Sequence, residues 1–127
     1  MTRDRLPDTR EAITFKTTID GKRKVYLTVG FYPDGRIGEV FLKMDKQGKT
    51  SRGTLDCFAI AVSWLLQEGV DAREIVDKFK YQRFEPEGRT TDKEITEDGT
   101  ERPMVVTSPI DWAMKKIEQI LDRGKSG

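Results

Sequence analysis

Residues 50–88 read TSRGTLDCFAIAVSWLLQEGVDAREIVDKFKYQRFEPEG, and this stretch decides the fold. Only two residues between Leu55 and Leu66 are polar, so neither side of a helix over this run favours contact with water. A run of about twelve residues is also too short to cross a bilayer. The pattern therefore predicts a buried central helix from about Gly53 to Glu68.

Two further helices are expected after the central one. Gly69 suits the left-handed stop of the first helix, and Asp71 with Glu74 three residues later forms a capping-box signal for the second. Ser108-Pro109 predicts the start of the third, because proline is favoured at the first helical position. The apolar residues at helical spacing are Ile75, Val76 and Phe79 in the second helix, and Ile110, Ala113, Ile117, Ile120 and Leu121 in the third.

The residues before the central helix alternate between apolar and polar types, as half-buried strands do. Asp20-Gly21 and Pro33-Asp34-Gly35 are turn signals between three such segments. The side chains expected on the covered face are Ile13, Phe15, Thr17, Ile19, Val25, Leu27, Val29, Phe31, Val40, Leu42 and Met44. The predicted class is therefore α+β, an antiparallel meander of at least three strands packed on the buried central helix, with two further helices.

At 127 residues, the chain is expected to form a single domain over 1–127. Residues 85–103 are almost entirely polar, which leaves open either a loop or a thin hairpin that turns at Asp98-Gly99. The ends, 1–4 and 123–127, are expected to fray.

Composition excludes several classes of function. The net charge of +1 argues against binding to a nucleic-acid duplex or a membrane through the overall field. The sequence contains no histidine, so no catalytic residue, metal ligand or cofactor is assigned. The one cysteine, Cys57, is expected to be a buried apolar side chain rather than a nucleophile. The absence of an apolar leader or an internal disulfide favours a cytoplasmic location.

Two catalytic patterns are tested and rejected. Gly48-Lys49-Thr50 matches the end of a phosphate-binding P-loop, but Lys43 occupies the position of the required first glycine. Asp56 and Glu68 would be about 18 Å apart on a helix, which is too far for a glycosidase pair.

A cluster of cationic and hydroxyl side chains surrounds the expected start of the central helix. Free backbone N–H groups and the positive end of the helix dipole favour phosphate at such a position. The candidate ligand-binding residues are Lys43, Lys49, Thr50, Ser51 and Arg52. The alternative is an ordinary capped helix behind a solvated basic loop.

A second cluster, Lys80–Phe84, combines cations with aromatic rings, a composition suited to stacking on a base and pairing with a phosphate. Arg83 is its candidate ligand-binding residue and would complete the first site from across the fold. Alternatively, the aromatic residues pack under the loop and Arg83 pairs with Glu85 or Asp77. Asp56 is expected to cap the central helix or to pair with Arg83.

The chain resembles the C-terminal TSCPD-type domain of adenosylcobalamin-dependent (class II) ribonucleotide reductases over roughly residues 5–120. The matching blocks are Arg5-Leu6-Pro7-Asp8, Tyr26-Leu27-Thr28-Val29-Gly30, Gly38-Glu39-Val40-Phe41-Leu42-Lys43-Met44, Asp56-x-Phe58-Ala59-x-Ala61, the pair Lys78-Phe79 with Val76, and Arg83-Phe84-Glu85-Pro86-x-Gly88. The resemblance implies the fold and a context in nucleotide metabolism. With Cys57 alone, and without the barrel of the reductase or its cysteine-rich tail, it does not imply ribonucleotide reduction.

A freestanding copy of such a domain is typical of phage genes, and we expect a non-catalytic module that regulates or sequesters a nucleotide or another phosphate-bearing ligand. A module that docks on a ribonucleotide reductase or another protein is the alternative, and a nucleotide hydrolase is a third. A homo-oligomer is also expected, because Trp64 and Trp112 are of the residue type that fills pockets at interfaces.

Overall fold

The computed structural model describes residues 3–45 and 49–125, apart from the side chains of residues 49–51, 124 and 125. In chain order its elements are β1 (Ala12–Ile19), β2 (Arg23–Phe31), β3 (Ile37–Met44), α1 (Lys49–Gln67), α2 (Ala72–Phe79), β4 (Gly88–Ile95), β5 (Glu101–Val106) and α3 (Pro109–Lys125). The expected fraying of residues 1–2 and 126–127 lies outside the described residues. The amide of Asp4 donates to the carbonyl of Gln67 (2.9 Å), which ties the start of the described chain to the end of α1.

The five strands form one sheet in the order β3-β2-β1-β4-β5, and every neighbouring pair is antiparallel. The predicted meander of the first three strands is confirmed, and so is the α+β class. Of the two alternatives for residues 85–103, a loop or a hairpin, the structure has the hairpin, since these residues contain β4 and the start of β5. Its turn lies at Asp98-Gly99, where the Thr96 amide donates to the Thr100 carbonyl (2.8 Å).

The turn between β1 and β2 shows how the sequence sets the register. Asp20 and Gly21 both have left-handed backbone, with φ of 55° and 65°, and the Lys22 amide donates to the Ile19 carbonyl (3.1 Å). This is the geometry of a type I′ turn, whose twist matches that of the paired strands. It places Thr17 opposite Val25 and keeps the apolar side chains of both strands on one face.

The three helices cover that face of the sheet. α1 packs on β3, while α2 packs on α3 and α3 borders β5. Both predicted helix starts are confirmed, because Asp71 accepts a hydrogen bond from the Arg73 amide and the Ser108 hydroxyl accepts one from the Asp111 amide (both 2.9 Å). The core includes Ile19, Val25, Leu27, Val29, Val40 and Leu42 from the strands, and Leu55, Val62, Leu66, Ile75, Trp112 and Ile117 from the helices.

The prediction that α1 is buried on all sides is wrong. Ile60, Trp64 and Leu65 remain 58%, 50% and 41% exposed, and Cys57 is exposed rather than buried. A sheet covers only one side of the helix that packs on it, and no second layer covers the outer side of α1 in the described part of the chain. None of the described helices is long and apolar enough to span a membrane.

Trp112 is also placed differently from the expectation that it lies at an interface. Its side chain is 0% exposed, and its indole N–H donates to Asp92 Oδ2 (2.5 Å) on β4. It therefore anchors α3 to the sheet within the subunit, and of the two tryptophans only Trp64 reaches the surface.

Candidate functional site

Polar side chains of α1 protect part of the outer sheet edge at β3. The Ser63 hydroxyl accepts a hydrogen bond from the Val40 amide (2.9 Å) and donates to the Val40 carbonyl (3.2 Å). Gln67 donates from Nε2 to the Gly38 carbonyl (3.0 Å). Because an unprotected edge strand invites pairing with another chain, these contacts close this end of β3 to a further strand.

The protection stops at Leu42. Backbone groups in an antiparallel strand alternate between its two edges, and the β2–β3 register is regular from Val40 to Met44. The amide and carbonyl of Leu42 therefore point to the same outer edge as those of Val40. Among the described residues, no side chain of α1 bonds to these two groups, so one donor and one acceptor lie side by side without a partner from α1, in a residue that is 2% exposed overall.

A groove of about 330 Å³ runs along this edge between β3 and α1. Ile60 and Trp64 from α1 and Phe41 from β3 contribute its apolar surface, and Leu42 also lines it. The guanidinium of Arg3 lies over the Trp64 ring, 3.8 Å from its centre, and adds a cation to the same wall. The groove thus places an apolar surface next to the open backbone groups of Leu42.

A second depression of about 300 Å³ adjoins the groove and reaches the beginning of α1. Its polar lining consists of Lys43, Arg52 and Asp56, of which Lys43 and Asp56 also line the groove. The structure therefore brings together two of the predicted ligand-binding residues, Lys43 and Arg52. The side chains of the other three predicted at the helix start lie outside the described residues: Lys49, Thr50 and Ser51.

The two carboxylates of the groove differ in their surroundings. Arg10 donates to Glu39 from Nε (2.6 Å) and from a terminal nitrogen (2.9 Å), and the hydrogen bonds raise the pKa of Arg10 above its ordinary value. Glu39 is therefore neutralised by an ion pair. Asp56 is exposed and does not cap α1, because the helix begins at Lys49, earlier than the predicted Gly53.

Arg83 lies apart from this groove. It sits between α2 and β4, whereas β3 forms the opposite end of the sheet from β4 and β5. Its guanidinium pairs with Glu87 (2.8 Å) rather than with Glu85, Asp77 or Asp56.

A buried carboxylate that the sequence did not single out holds the segment after α2. Asp111 accepts hydrogen bonds from the amides of Tyr81 (2.8 Å) and Thr107 (2.9 Å). Tyr81 has a left-handed φ of 72°, and its exposed ring centre lies 5.2 Å from the ammonium groups of Lys80 and Lys115. The Tyr81 ring is therefore not packed under the loop, which was the alternative considered for this cluster.

The sequence did not single out most residues that line the groove as site residues, among them Arg3, Phe41, Leu42 and Ile60. Ile60 lies four residues before Trp64 and so shares its side of the helix, a spacing that could have indicated it. No sequence signal indicated Arg3, because it reaches α1 only through the tertiary contact between Asp4 and Gln67.

Comparison with known proteins gives matches over most of the chain. Residues 2–121 match the model of the TSCPD domain. The vitamin B12-dependent ribonucleotide reductase of Rhodopirellula baltica is 50% identical over 93 residues, which are 73% of this chain and 9% of that protein. The enzyme of the same name from Bradyrhizobium diazoefficiens is 40% identical over 115 residues, which are 91% of this chain and 8% of that protein. No solved structure matches the chain.

The chain thus corresponds to about a tenth of the length of these reductases. The similarity extends through the strands and helices that form the β3–α1 groove, because the matched residues include β3 and the whole of α1. Since the domain model covers nearly all of its residues, the chain belongs to the TSCPD domain family.

Proposed function

We propose that this chain is a non-catalytic cytoplasmic module that binds a nucleotide in the groove between β3 and α1. The observation that carries the proposal is the position of Leu42. Its open backbone donor and acceptor lie between an apolar wall and two cationic side chains, Lys43 and Arg52.

The apolar part of the groove suits a nucleobase. A base presents a flat apolar face together with a donor and an acceptor on its edge, and the Leu42 amide and carbonyl can pair with that edge. Ile60 and Phe41 would contact the ring faces, and the groove volume of about 330 Å³ falls at the lower end of small-molecule sites. At Leu42 the base would thus take the place of a neighbouring strand. Ser63 and Gln67 exclude such a strand further along the same edge.

The adjoining depression suits the phosphate. Lys43 and Arg52 supply two positive side chains, and α1 begins at Lys49, so the positive end of its dipole would favour an anion near Arg52. Asp56 lies between the two parts of the site, where a carboxylate would repel a phosphate but accept hydrogen bonds from ribose hydroxyl groups. This order of base, sugar and phosphate favours a whole nucleotide over inorganic phosphate.

A binding role fits the chemistry of the site better than hydrolysis. The groove contains no histidine, and within the described part of the chain no three His, Cys, Asp or Glu side chains lie together as a metal site. Cys57 lies on the outer side of α1 and does not line the groove. The relatives carry the name of an enzyme that acts on ribonucleotides, which supports a nucleotide as the ligand.

The test is calorimetry of the purified chain with a panel of ribonucleoside and deoxyribonucleoside phosphates. Lys43→Ala and Arg52→Ala are each expected to weaken binding at least about tenfold, roughly 1.4 kcal/mol. Lys93→Ala is the matched control, because it removes an exposed cation from β4, far from β3 in the sheet. Affinity should also fall as the salt concentration rises, because solvent-exposed ion pairs are screened.

Tripolyphosphate separates recognition of the base from simple attraction of an anion. If the Leu42 edge pairs with a base, tripolyphosphate binds at least about tenfold more weakly than the best nucleoside triphosphate. Equal affinities for the two would contradict the base-binding part of the proposal. A lack of heat with every nucleotide at millimolar concentration would contradict all of it.

A further inference from the structure

The outer face of α1 is an apolar strip on the protein surface. Gly53, Cys57, Ile60, Ala61, Trp64 and Leu65 recur at helical spacing along it, and all six are exposed. The strip is about 18 Å long, from the rise of 1.5 Å per residue. The one charged residue within this span, Asp56, lies on the flank of the helix that lines the groove. Exposed strips of this kind mark interaction surfaces.

We infer that this outer face is covered by the same face of a second copy, with the two α1 helices antiparallel across a two-fold axis. Such an interface is self-complementary, since each residue meets its counterpart at an equal distance on the other side of the axis. An axis between Ile60 and Ala61 places Trp64 of each copy opposite Cys57 of the other. A large side chain then faces a small one at both ends of the strip.

The charges at the ends of the strip favour this antiparallel arrangement. Glu68 comes directly after the last residue of α1, and its amide still donates to the Trp64 carbonyl (2.9 Å), which continues the helical path. Its side chain would therefore lie over Gly53 of the second copy. That position is near the start of the partner helix, where the positive end of the dipole stabilises a carboxylate. In a parallel pair, the Glu68 carboxylates would instead face each other at the negative ends of both helices.

The flanks of the strip are complementary as well. In each copy, one flank of α1 borders the groove. A two-fold axis perpendicular to the helices places these two flanks on the same side of the helix pair. Arg3, which lies over Trp64 on this flank, would therefore come near Asp56 of the second copy. Both ends of the interface would gain this pair of opposite charges, which supports a second copy as the occupant.

Sedimentation velocity without ligand tests the inference over a range of micromolar concentrations, so the outcome does not depend on nucleotide binding. A reversible dimer is expected, and Ala61→Glu should weaken it at least about tenfold because two carboxylates would meet at its centre. Ile95→Glu is the matched control, since Ile95 is 75% exposed on the β4–β5 hairpin. A monomer at every concentration would overturn the inference, and so would an equal effect of the two variants. Either result would favour another protein, such as a reductase, as the partner that covers this face.

Charge reversal tests the relative direction of the two helices. Arg3→Asp and Asp56→Arg should each weaken the dimer, and the double variant should recover most of the affinity, because the pair is restored across the interface. Failure of the double variant to recover would overturn the antiparallel arrangement. Cross-linking with a short bismaleimide gives a second test. On a Cys57→Ser background, Ala61→Cys should form a cross-linked dimer. Ile95→Cys on the same background should not.

Discussion

The Ser63 hydroxyl bonds to both backbone groups of Val40, so that one side chain of α1 occupies the place that a neighbouring strand would take at the edge of the sheet. Gln67 does the same for the Gly38 carbonyl one turn further along α1. The helix therefore both covers the apolar face of β3 and satisfies its outer edge. Leu42, beyond the reach of these side chains, is left as the open position on which the proposed site depends.

Ser63→Ala should lower the free energy of unfolding by about 1–2 kcal/mol, since it removes two hydrogen bonds to a partly buried strand. Chemical denaturation at low protein concentration measures this change. Cys57→Ala is the matched control, because it also removes a single heavy atom from α1 but from the exposed side. We expect it to change the stability by less than about 0.5 kcal/mol. Equal losses in the two variants would show that Ser63 does not hold the edge.

Leu66→Ala and Leu65→Ala should differ strongly although they are the same substitution at adjacent positions. Leu66 is 7% exposed and belongs to the core, so its truncation should cost about 2–5 kcal/mol. Leu65 lies in the run that was expected from the sequence to be buried, but it is 41% exposed on the outer face and should cost about 1 kcal/mol or less. Urea unfolding of the monomer checks the difference, and a larger loss at Leu65 would contradict the orientation of α1.

Asp111→Ala should cost at least about 3 kcal/mol, because it leaves two backbone amides without their acceptor in a buried setting and removes the ion-pair partner of Lys115, which keeps its bond to the Val105 carbonyl (3.1 Å). Lys115→Ala should cost much less, since the Lys115 side chain is partly exposed and the carboxylate keeps both amides. Denaturation curves of the two variants provide the comparison. Similar losses would mean that the ion pair, rather than the amide bonds of Asp111, joins α3 to the segment after α2.

The turn of the β4–β5 hairpin should lose stability in acid. Hydrogen bonds from the Thr96 hydroxyl and the Thr100 amide hold the pKa of Asp98 at about 2, below its ordinary value of 3.8. Since the folded pKa is the lower one, the stabilisation is complete above about pH 4 and is lost as the pH falls through 2. The protection factor of the Thr100 amide, which is its exchange rate relative to the intrinsic rate at the same pH, should therefore fall over this interval, and the fall should be absent in Asp98→Asn.

Much of the fold could be predicted because its signals are local. The alternation of side chains predicts the three strands of the meander, since the two faces of a strand differ by a single step along the chain. Asp20-Gly21 sets the first turn because both residues tolerate a left-handed backbone conformation. Asp71 and Ser108 begin their helices because their side chains accept hydrogen bonds from backbone amides. The basic cluster likewise indicated two residues of the depression beside the groove, Lys43 and Arg52, because both flank the start of one helix.

The tertiary structure alone decided which side of α1 is buried and therefore where the groove lies. Apolar residues occupy both sides of this helix, so its periodicity cannot tell Leu66 from Leu65. The distinction depends on β3, whose apolar side chains can cover only one side. Arg3 and Leu42 join the site for the same reason, because edge exposure and contacts between distant segments arise only when the sheet and the helix are packed together. The sequence by itself thus determined the elements and their turns, while burial against a one-sided sheet determined the surface that is left for binding.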